Sequence, residues 1–260
     1  MAVTPGGPSY VGIDLAWSAR NRSGLAVVDE DGRLTASGTG VADDDLVAWV
    51  ARHAPGLRVA AVDAPVVVPN ATGQRRGERE VARAFARFGA GPYPANRGNP
   101  LFDPPRAETL ARRCGWRTDP VVPAAGETPA CVEVYPHPAL VALFGLPRVL
   151  PYKAKPGRTP QSRQAAFRLL LRHLESVEPL GLAGHPRWRE LRAVIETATR
   201  HVHLERIEDE IDAIVCAHVG WLWCHRPGAV RVYGSYPDGY ILAPPAPVDR
   251  RDAATRTAPR

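Results

Sequence analysis

Runs of apolar and polar residues along this chain predict an α/β protein that begins with a β-meander. The apolar run from Tyr10 to Trp17 predicts a first strand, and residues 21–29 and 33–40 predict two more. The last two are separated by Asp31-Gly32, and an Asp-Gly pair between apolar runs is typical of a β-hairpin. We therefore expect residues 10–40 to form three antiparallel strands.

After the meander, segments with apolar residues at helical spacing alternate with continuous apolar runs. Residues 43–53 carry apolar positions at helical spacing behind a capping acid, which predicts a helix. Residues 58–64 are apolar throughout, as in a strand that lies parallel to its neighbour and is covered on both faces. Further strands are expected at 131–135, 230–233 and 240–243, and helices at 139–144, 160–174, 186–203 and 204–224.

The segment 66–128 interrupts this alternation. It contains a basic helix predicted over residues 75–88, followed by a Gly-, Pro- and Asn-rich loop that is longer than most connections. We interpret the chain as one domain over residues 9–243 with an insertion at about 66–128, since 260 residues suffice for one good core. Residues 1–8 and 244–260 are expected to be flexible tails because they offer little to bury.

Acidic residues occur in the predicted strands, where burial would be costly. Asp14 lies inside the first apolar run, Asp63 ends the run RVAAVDAP, and Glu133 lies within ACVEVYP. A buried carboxylate needs a compensating cation or hydrogen-bond donor. In open α/β sheets, ligands bind at the carboxyl ends of the strands. Asp63 is therefore where chemistry is expected.

The last predicted helix carries a second set of acids on one face. Their spacings of three and four residues bring together Glu205, Glu208, Asp209 and Asp212. The same stripe continues as Val215, Cys216 and Val219, so its acidic end should face the protein. The helix macrodipole alone would favour Glu205 and Glu208 but not Asp212.

Taken singly, each acid could be a capping or salt-bridged residue. Taken together, they predict a site for one or two divalent cations, since carboxylates suit Mg²⁺ and Mn²⁺ and such ions catalyse phosphodiester cleavage. The predicted metal ligands are Asp14, Asp63, Asp209 and Asp212. The predicted catalytic residues are Asp14, Asp63, Asp212 and Glu133.

The charge of the chain gives a weaker indication of its partner. The net charge of +6 suits a polyanion such as nucleic acid, although an Arg-rich composition explains much of the balance. Candidate phosphate contacts are Lys153, Lys155 and Arg158 in a polar loop, His137 between two prolines, and Arg75 and Arg79 on the basic helix. A solvated loop, a turn histidine and an exposed helix face remain the alternatives.

No apolar run approaches the roughly 20 residues of a membrane helix, and the N-terminus has no signal-peptide pattern. A cytoplasmic location without a membrane partner is therefore expected, and the four cysteines form no C-x-x-C pair that would suggest otherwise. The sequence does not indicate an oligomeric state.

Four segments in order, GIDLAW, AVDAP, VEVYPHPAL and EDEIDAIVCAH, resemble the DUF429 family, predicted nucleases of the ribonuclease H-like superfamily. The resemblance runs from about residue 10 to 243. It implies a mixed five-stranded sheet in the order 3-2-1-4-5 with helices on both faces. It also implies that Asp14 is the first-strand acid, Asp63 the fourth-strand acid and Asp212 the acid of the final helix, with Asp209 as its neighbour and Glu133 as a ligand or an orienting group.

These observations predict a metal-dependent phosphodiester hydrolase, a nuclease acting on DNA or RNA. Two other classes stay open. An actin-like nucleotide-binding ATPase or kinase would also place acids on two strands, but GIDLAWSARNRSG is poor in the Gly-rich turns that such a protein needs. The third class is a non-catalytic scaffold with the same fold that binds nucleic acid.

Overall fold

The computed structural model describes residues 7–247. The strands within them are β1 Ser9–Asp14, β2 Ser23–Asp29, β3 Leu34–Gly40, β4 Leu57–Val62, β5 Ala130–Glu133, β6 Arg231–Ser235 and β7 Gly239–Ala243. The α-helices are α1 Asp43–His53, α2 Arg76–Phe85, α3 Arg106–Cys114, α4 Pro136–Phe144, α5 Pro160–Glu175, α6 Pro186–Thr197 and α7 His201–His225. Short 3-10 helices lie at Ala86–Phe88, Glu178–Leu180 and Leu182–Gly184.

Five strands form one mixed sheet in the order β3-β2-β1-β4-β5. Strand β2 runs antiparallel to its neighbours β1 and β3, whereas β4 runs parallel to both β1 and β5. The predicted meander and strand order are confirmed, and the arrangement is consistent with a ribonuclease H-like α/β fold. The predicted C-terminal pair, β6 and β7, forms a separate antiparallel sheet.

The parallel register brings the strand acids to one edge of the sheet. Ile13 pairs with Val62, and Val62 pairs with Glu133 on the other side. Asp14 directly follows Ile13, and Asp63 directly follows Val62, so the two acids lie at the same level of the sheet. This edge is formed by the carboxyl ends of the parallel strands, where ligands of open α/β sheets bind.

Helices cover both faces of the sheet because successive strand side chains point to opposite sides. On one face, Val11 and Ile13 pack with Leu46 of α1 and Leu110 of α3. On the other face, Tyr10 lies in the larger core to which α4, α5, α6 and α7 contribute.

Glycines allow α7 to pack directly against the backbone of the sheet. A Cβ atom on Gly12 of β1 would stand 1.9 Å from the carbonyl oxygen of Ala213, and one on Gly24 of β2 would stand 1.8 Å from that of Asp209. No side chain larger than hydrogen fits at either position. This close packing fixes the height of α7 above β1 and β2, and with it the positions of Asp209 and Asp212.

Some element boundaries differ from the predicted ones. The helix predicted over 186–203 ends at Thr197, and α7 begins at His201 rather than at residue 204. A tertiary contact accompanies this earlier start: the buried guanidinium of Arg163 lies 3.0 Å from Nδ1 of His201. Local periodicity could not indicate that contact.

Helix α3 lies in the predicted insertion at about 66–128, where only the basic helix over residues 75–88 was expected. Its buried residues Ala107, Leu110 and Ala111 lie at helical spacing, and Gly115 ends it with a positive φ of 68°. Apolar spacing followed by glycine is the usual signal for a helix end. That signal is present in the sequence, so this helix was predictable.

Most of the expected tails, residues 1–6 and 248–260, lie outside the described residues. Of the described residues beyond Ala243, Ala246 packs against the larger core. No helix within residues 7–247 combines the length and hydropathy needed to cross a membrane.

Candidate carboxylate site

A cleft of about 570 Å³ opens at the carboxyl ends of β1 and β4. Asp14 ends β1 and Asp63 follows β4, and both line the cleft. Glu208 of α7 lines it from the covering helix, and Lys153 and Lys155 line it from the loop between α4 and α5. Acids from two strands and one helix thus share the cleft with two lysines.

Asp14 has a carboxylate oxygen without a hydrogen-bond partner. Its Oδ2 is buried and accepts no hydrogen bond, and it lies 3.8 Å from Nζ of Lys153. Burial raises the pKa of Asp14 well above its ordinary value, Lys153 opposes that rise, and the charges of Asp63, Asp212 and Asp209 add to it. An additional positive charge near this oxygen would therefore be stabilising.

Asp212 is fully buried and lies between a phenol and an ammonium group. The hydroxyl of Tyr152 donates a hydrogen bond of 2.7 Å to its Oδ1. Its Oδ2 lies 2.6 Å from Nζ of Lys153, an ion pair whose angles are not those of a hydrogen bond. The apolar continuation of the helical stripe indicated that Asp212 would face inward. Tyr152 was missed, although it directly precedes Lys153 in the sequence.

Asp63 sits one residue beyond β4. Its backbone N–H donates to the carbonyl of Ile13 at 2.8 Å, so the strand pairing continues to this residue. Burial raises the pKa of Asp63 to about 7, with Lys153 opposing the rise and the charges of Asp212 and Glu133 adding to it. The carboxyl therefore changes its protonation state near neutral pH.

Lys153 is the cation that Asp14 and Asp212 share. Burial alone would lower the pKa of Lys153, but the charges of Asp212 and Asp14 outweigh it and hold the pKa well above its ordinary range. Backbone contacts fix the loop around it: Arg158 donates to the carbonyl of Lys153 at 2.7 Å, and buried Arg163 donates to that of Tyr152 at 2.8 Å. Arg158, a candidate phosphate contact, is thus partly engaged in holding this loop.

The acids of α7 differ in their surroundings. Glu208 accepts a hydrogen bond of 2.9 Å from Arg163, and burial raises its pKa to about 7. Burial and the charge of Asp212 raise the pKa of Asp209 to about 6. Glu205 is exposed. Glu208 lines the cleft and was missed as a candidate site residue, although it belongs to the acidic stripe that the sequence displays.

Glu133 belongs to a different cluster. Its Oε1 and Oε2 accept hydrogen bonds of 2.6 and 2.7 Å from Arg75, and Oε2 also accepts one of 2.9 Å from the backbone of Val66. Arg75 additionally donates to Glu78 at 2.7 Å. Because both oxygens of Glu133 are engaged, the structure does not bring this predicted catalytic residue into the group formed by Asp14 and Asp212.

The expected phosphate contacts are also divided between different surroundings. Arg75 is buried in its pairs with Glu133 and Glu78, so it cannot belong to an exposed phosphate track. Arg79 is exposed and donates to the carbonyl of Gln74. Lys155 is exposed and lines the cleft. His137 lines it too, and burial with the charge of Lys153 lowers its pKa to about 4, so the ring is neutral at pH 7.

Within residues 7–247, no group of three or more His, Cys, Asp and Glu side chains is arranged to hold a metal ion. Two observations nevertheless fit a hard divalent cation. Buried Oδ2 of Asp14 has no hydrogen-bond donor, and Asp14 and Asp212 already face one shared positive charge, that of Lys153. Carboxylate oxygens are the ligands that Mg²⁺ and Mn²⁺ prefer. The donor chemistry fits, provided that Lys153 moves away.

A protein-family model matches most of the chain. The family model described as "Protein of unknown function (DUF429)" matches residues 12–238. No curated protein and no solved structure matches the chain.

Proposed function

The chain belongs to the DUF429 family, whose description names no activity, and we propose that it is a metal-dependent phosphodiester hydrolase, a nuclease of the ribonuclease H-like kind. The observation that carries the proposal is the sharing of one cation, Lys153, by Asp14 and fully buried Asp212, beside a cleft that Asp14 and Lys153 line. Burying several carboxylates together lowers stability unless positive charge nearby compensates them. A structural role alone does not account for this cost.

In this proposal, Asp14, Asp63 and Asp212 hold one or two Mg²⁺ or Mn²⁺ ions, with Asp209 beside them. The bound ion would activate a water molecule and stabilise the charge that develops on the leaving oxygen. Tyr152 keeps Asp212 oriented through its hydrogen bond to Oδ1. Glu133 would have a positioning role, because its pair with Arg75 fixes the end of β5 beside Asp63.

The remaining polar residues of the cleft would handle the substrate and its protons. Lys153, once released from Asp212, can place its ammonium against a phosphate oxygen, and exposed Lys155 can attract the nucleic-acid backbone. Glu208 lines the cleft with a pKa of about 7, so its carboxylate can accept a proton from water near neutral pH.

A cleavage assay with a matched pair of variants tests the proposal. Purified protein is incubated with single-stranded DNA, duplex DNA and single-stranded RNA in Mn²⁺, Mg²⁺ or EDTA. We expect metal-dependent cleavage that falls at least about 100-fold in Asp14→Asn, since an amide is a poor ligand for a hard cation. The control, Asp31→Asn, changes an exposed turn residue and should leave cleavage unchanged. Equal cleavage by the two variants would reject the assignment.

Thermal melting separates the two alternative classes from the nuclease. A ligand that binds only the folded protein must raise its melting temperature. Stabilisation by Mn²⁺ alone supports the proposal, whereas stabilisation that needs ATP favours a nucleotide-binding ATPase or kinase. An unchanged melting temperature in Mn²⁺ favours a non-catalytic scaffold.

A further inference from the structure

Large apolar side chains are exposed around the same cleft. Trp17 is 43% exposed, Tyr93 71% and Leu101 43%, and all three line the cleft together with Asp14 and Asp63. Single exposed apolar residues are ordinary on protein surfaces. Three of them around one cleft, beside a group of acids, indicate a surface that receives a flat apolar group.

Trp17 is held firmly although its indole is exposed. Its ring meets Phe102 edge to face with centroids 5.0 Å apart, and Phe102 is buried in a small cluster with Val68 and Ala95. Arg106 donates to the carbonyls of Ala16 and Ser18 at 2.7 and 3.2 Å, which fixes the backbone on both sides of Trp17. The indole therefore has a set position and loses little freedom when a ligand stacks on it.

Tyr93, which belongs to the loop of the insertion, lines the same spaces as Trp17. Trp17, Tyr93 and Asp63 line both the main cleft and an adjoining cavity of about 80 Å³. The backbone N–H of Ala95, two residues further on, donates to buried Glu78 at 2.9 Å. The loop is thus anchored near Tyr93 while the phenol ring stays exposed.

We propose that Trp17 and Tyr93 form a stacking subsite for an unpaired nucleobase, so that the substrate of this site is single-stranded nucleic acid. This inference rests on the proposed function. The aromatic rings and exposed Lys155 that line the cleft match an occupant that offers both a flat apolar face and negative charge. A single strand presents bases for stacking next to its phosphates, whereas a duplex keeps its bases inside the helix.

Binding experiments test the subsite without requiring cleavage. Fluorescence anisotropy in EDTA compares a labelled 15-nucleotide single strand, a strand of the same length made of abasic sites, and a blunt duplex. We expect the protein to bind the base-bearing strand about 10-fold more tightly than the other two. Trp17→Ala and Tyr93→Ala should each remove most of this preference, and Trp17→Phe should retain it.

A matched control and a cleavage measurement make the outcome decisive. Tyr236 is 45% exposed on the turn between β6 and β7, so Tyr236→Ala removes an aromatic ring from a residue about as exposed as Trp17 and should keep the preference. The inference is overturned if Trp17→Ala and Tyr93→Ala both bind like the unaltered protein, or if duplex binds as tightly as single strand. Base-dependent binding without any metal-dependent cleavage would refute the nuclease proposal but keep the subsite. Cleavage of duplex at equal rates by all variants would refute the subsite alone.

Discussion

The ammonium nitrogen of Lys153 lies 2.6 Å from Oδ2 of fully buried Asp212. The same nitrogen lies 3.8 Å from Oδ2 of Asp14. The charge that compensates these acids is thus carried on a loop rather than on the sheet or on α7. A divalent cation binding between the two acids must displace that ammonium group, so Lys153 and the metal compete.

Replacing Lys153 with methionine should therefore have opposite effects without and with metal. Without metal, Lys153→Met should lower the free energy of unfolding by about 3 kcal/mol, because Asp212 loses its partner. Mn²⁺ should then stabilise the variant more than the unaltered protein, since the competitor is gone. Thermal melting with and without Mn²⁺ measures both effects, and exposed Lys155→Met is the control. An equal Mn²⁺ shift in all three proteins would contradict the competition.

Asp63→Asn should stabilise the metal-free protein at pH 8. The pKa of Asp63 is raised to about 7 in the folded state, against about 4 in an unfolded chain. Between these two pKa values, Asp63 is protonated in the folded state and ionised in the unfolded chain. The free energy of unfolding therefore falls as the pH rises from about 4 through about 7. Asparagine is neutral throughout, so the variant should gain about 1–3 kcal/mol at pH 8.

The gain in Asp63→Asn should shrink towards pH 4, where Asp63 is protonated in the folded state and about half protonated in the unfolded chain. Urea unfolding at pH 4.5 and pH 8 measures this difference. Asp31→Asn, at an exposed turn position, should show no such dependence. A stability gain of the same size at both pH values would show that ionisation of Asp63 is not its cause.

Gly12→Ala should disturb the contact between α7 and β1. The added Cβ would stand 1.9 Å from the carbonyl oxygen of Ala213, so the helix must shift or the strand must bend. We expect a loss of about 3 kcal/mol in the free energy of unfolding and a weaker Mn²⁺ response, because Asp212 moves with the helix. Gly184→Ala is the control, since a Cβ there meets no atom within 4 Å. Unaltered stability in Gly12→Ala would contradict the close packing.

Tyr152→Phe should remove a hydrogen bond to Asp212 without leaving a large cavity in the core. The variant keeps the buried ring and loses only the hydroxyl that donates to Oδ1 at 2.7 Å. Hydrogen bonds to charged groups contribute about 1.5–3 kcal/mol, so a loss of this size is expected in urea unfolding. Tyr236→Phe, whose hydroxyl is at an exposed site, should lose far less.

The residues themselves were sufficient to predict the strands and the edge where Asp14 and Asp63 end, whereas the full strand order was implied by the resemblance to the DUF429 family. Alternation of apolar runs, the Asp31-Gly32 turn and the continuous run before Asp63 are local signals, and parallel strands end on the same side. The inward position of Asp212 followed from the apolar stripe that continues beyond it. These inferences needed no knowledge of which loops meet.

The partners of the acids could not be predicted from the sequence. Lys153 and Tyr152 reach Asp212 from about 60 positions away, and Arg75 reaches Glu133 across 58 positions. Nothing in a basic helix pattern tells a buried ion-paired arginine from an exposed one. Likewise, an apolar run that includes Trp17 does not reveal that the strand ends at Asp14 and leaves the indole exposed.

The pair formed by Arg75 and Glu133 has a consequence for protein engineering. It fastens the first helix of the insertion to the edge strand of the sheet through two short hydrogen bonds in the interior. A chimaera that grafts another insertion onto this scaffold, without an arginine to match Glu133, would leave an orphaned charge costing about 3–5 kcal/mol. A design that replaces the insertion should therefore replace β5 with it, so that Arg75 and Glu133 are kept or exchanged together.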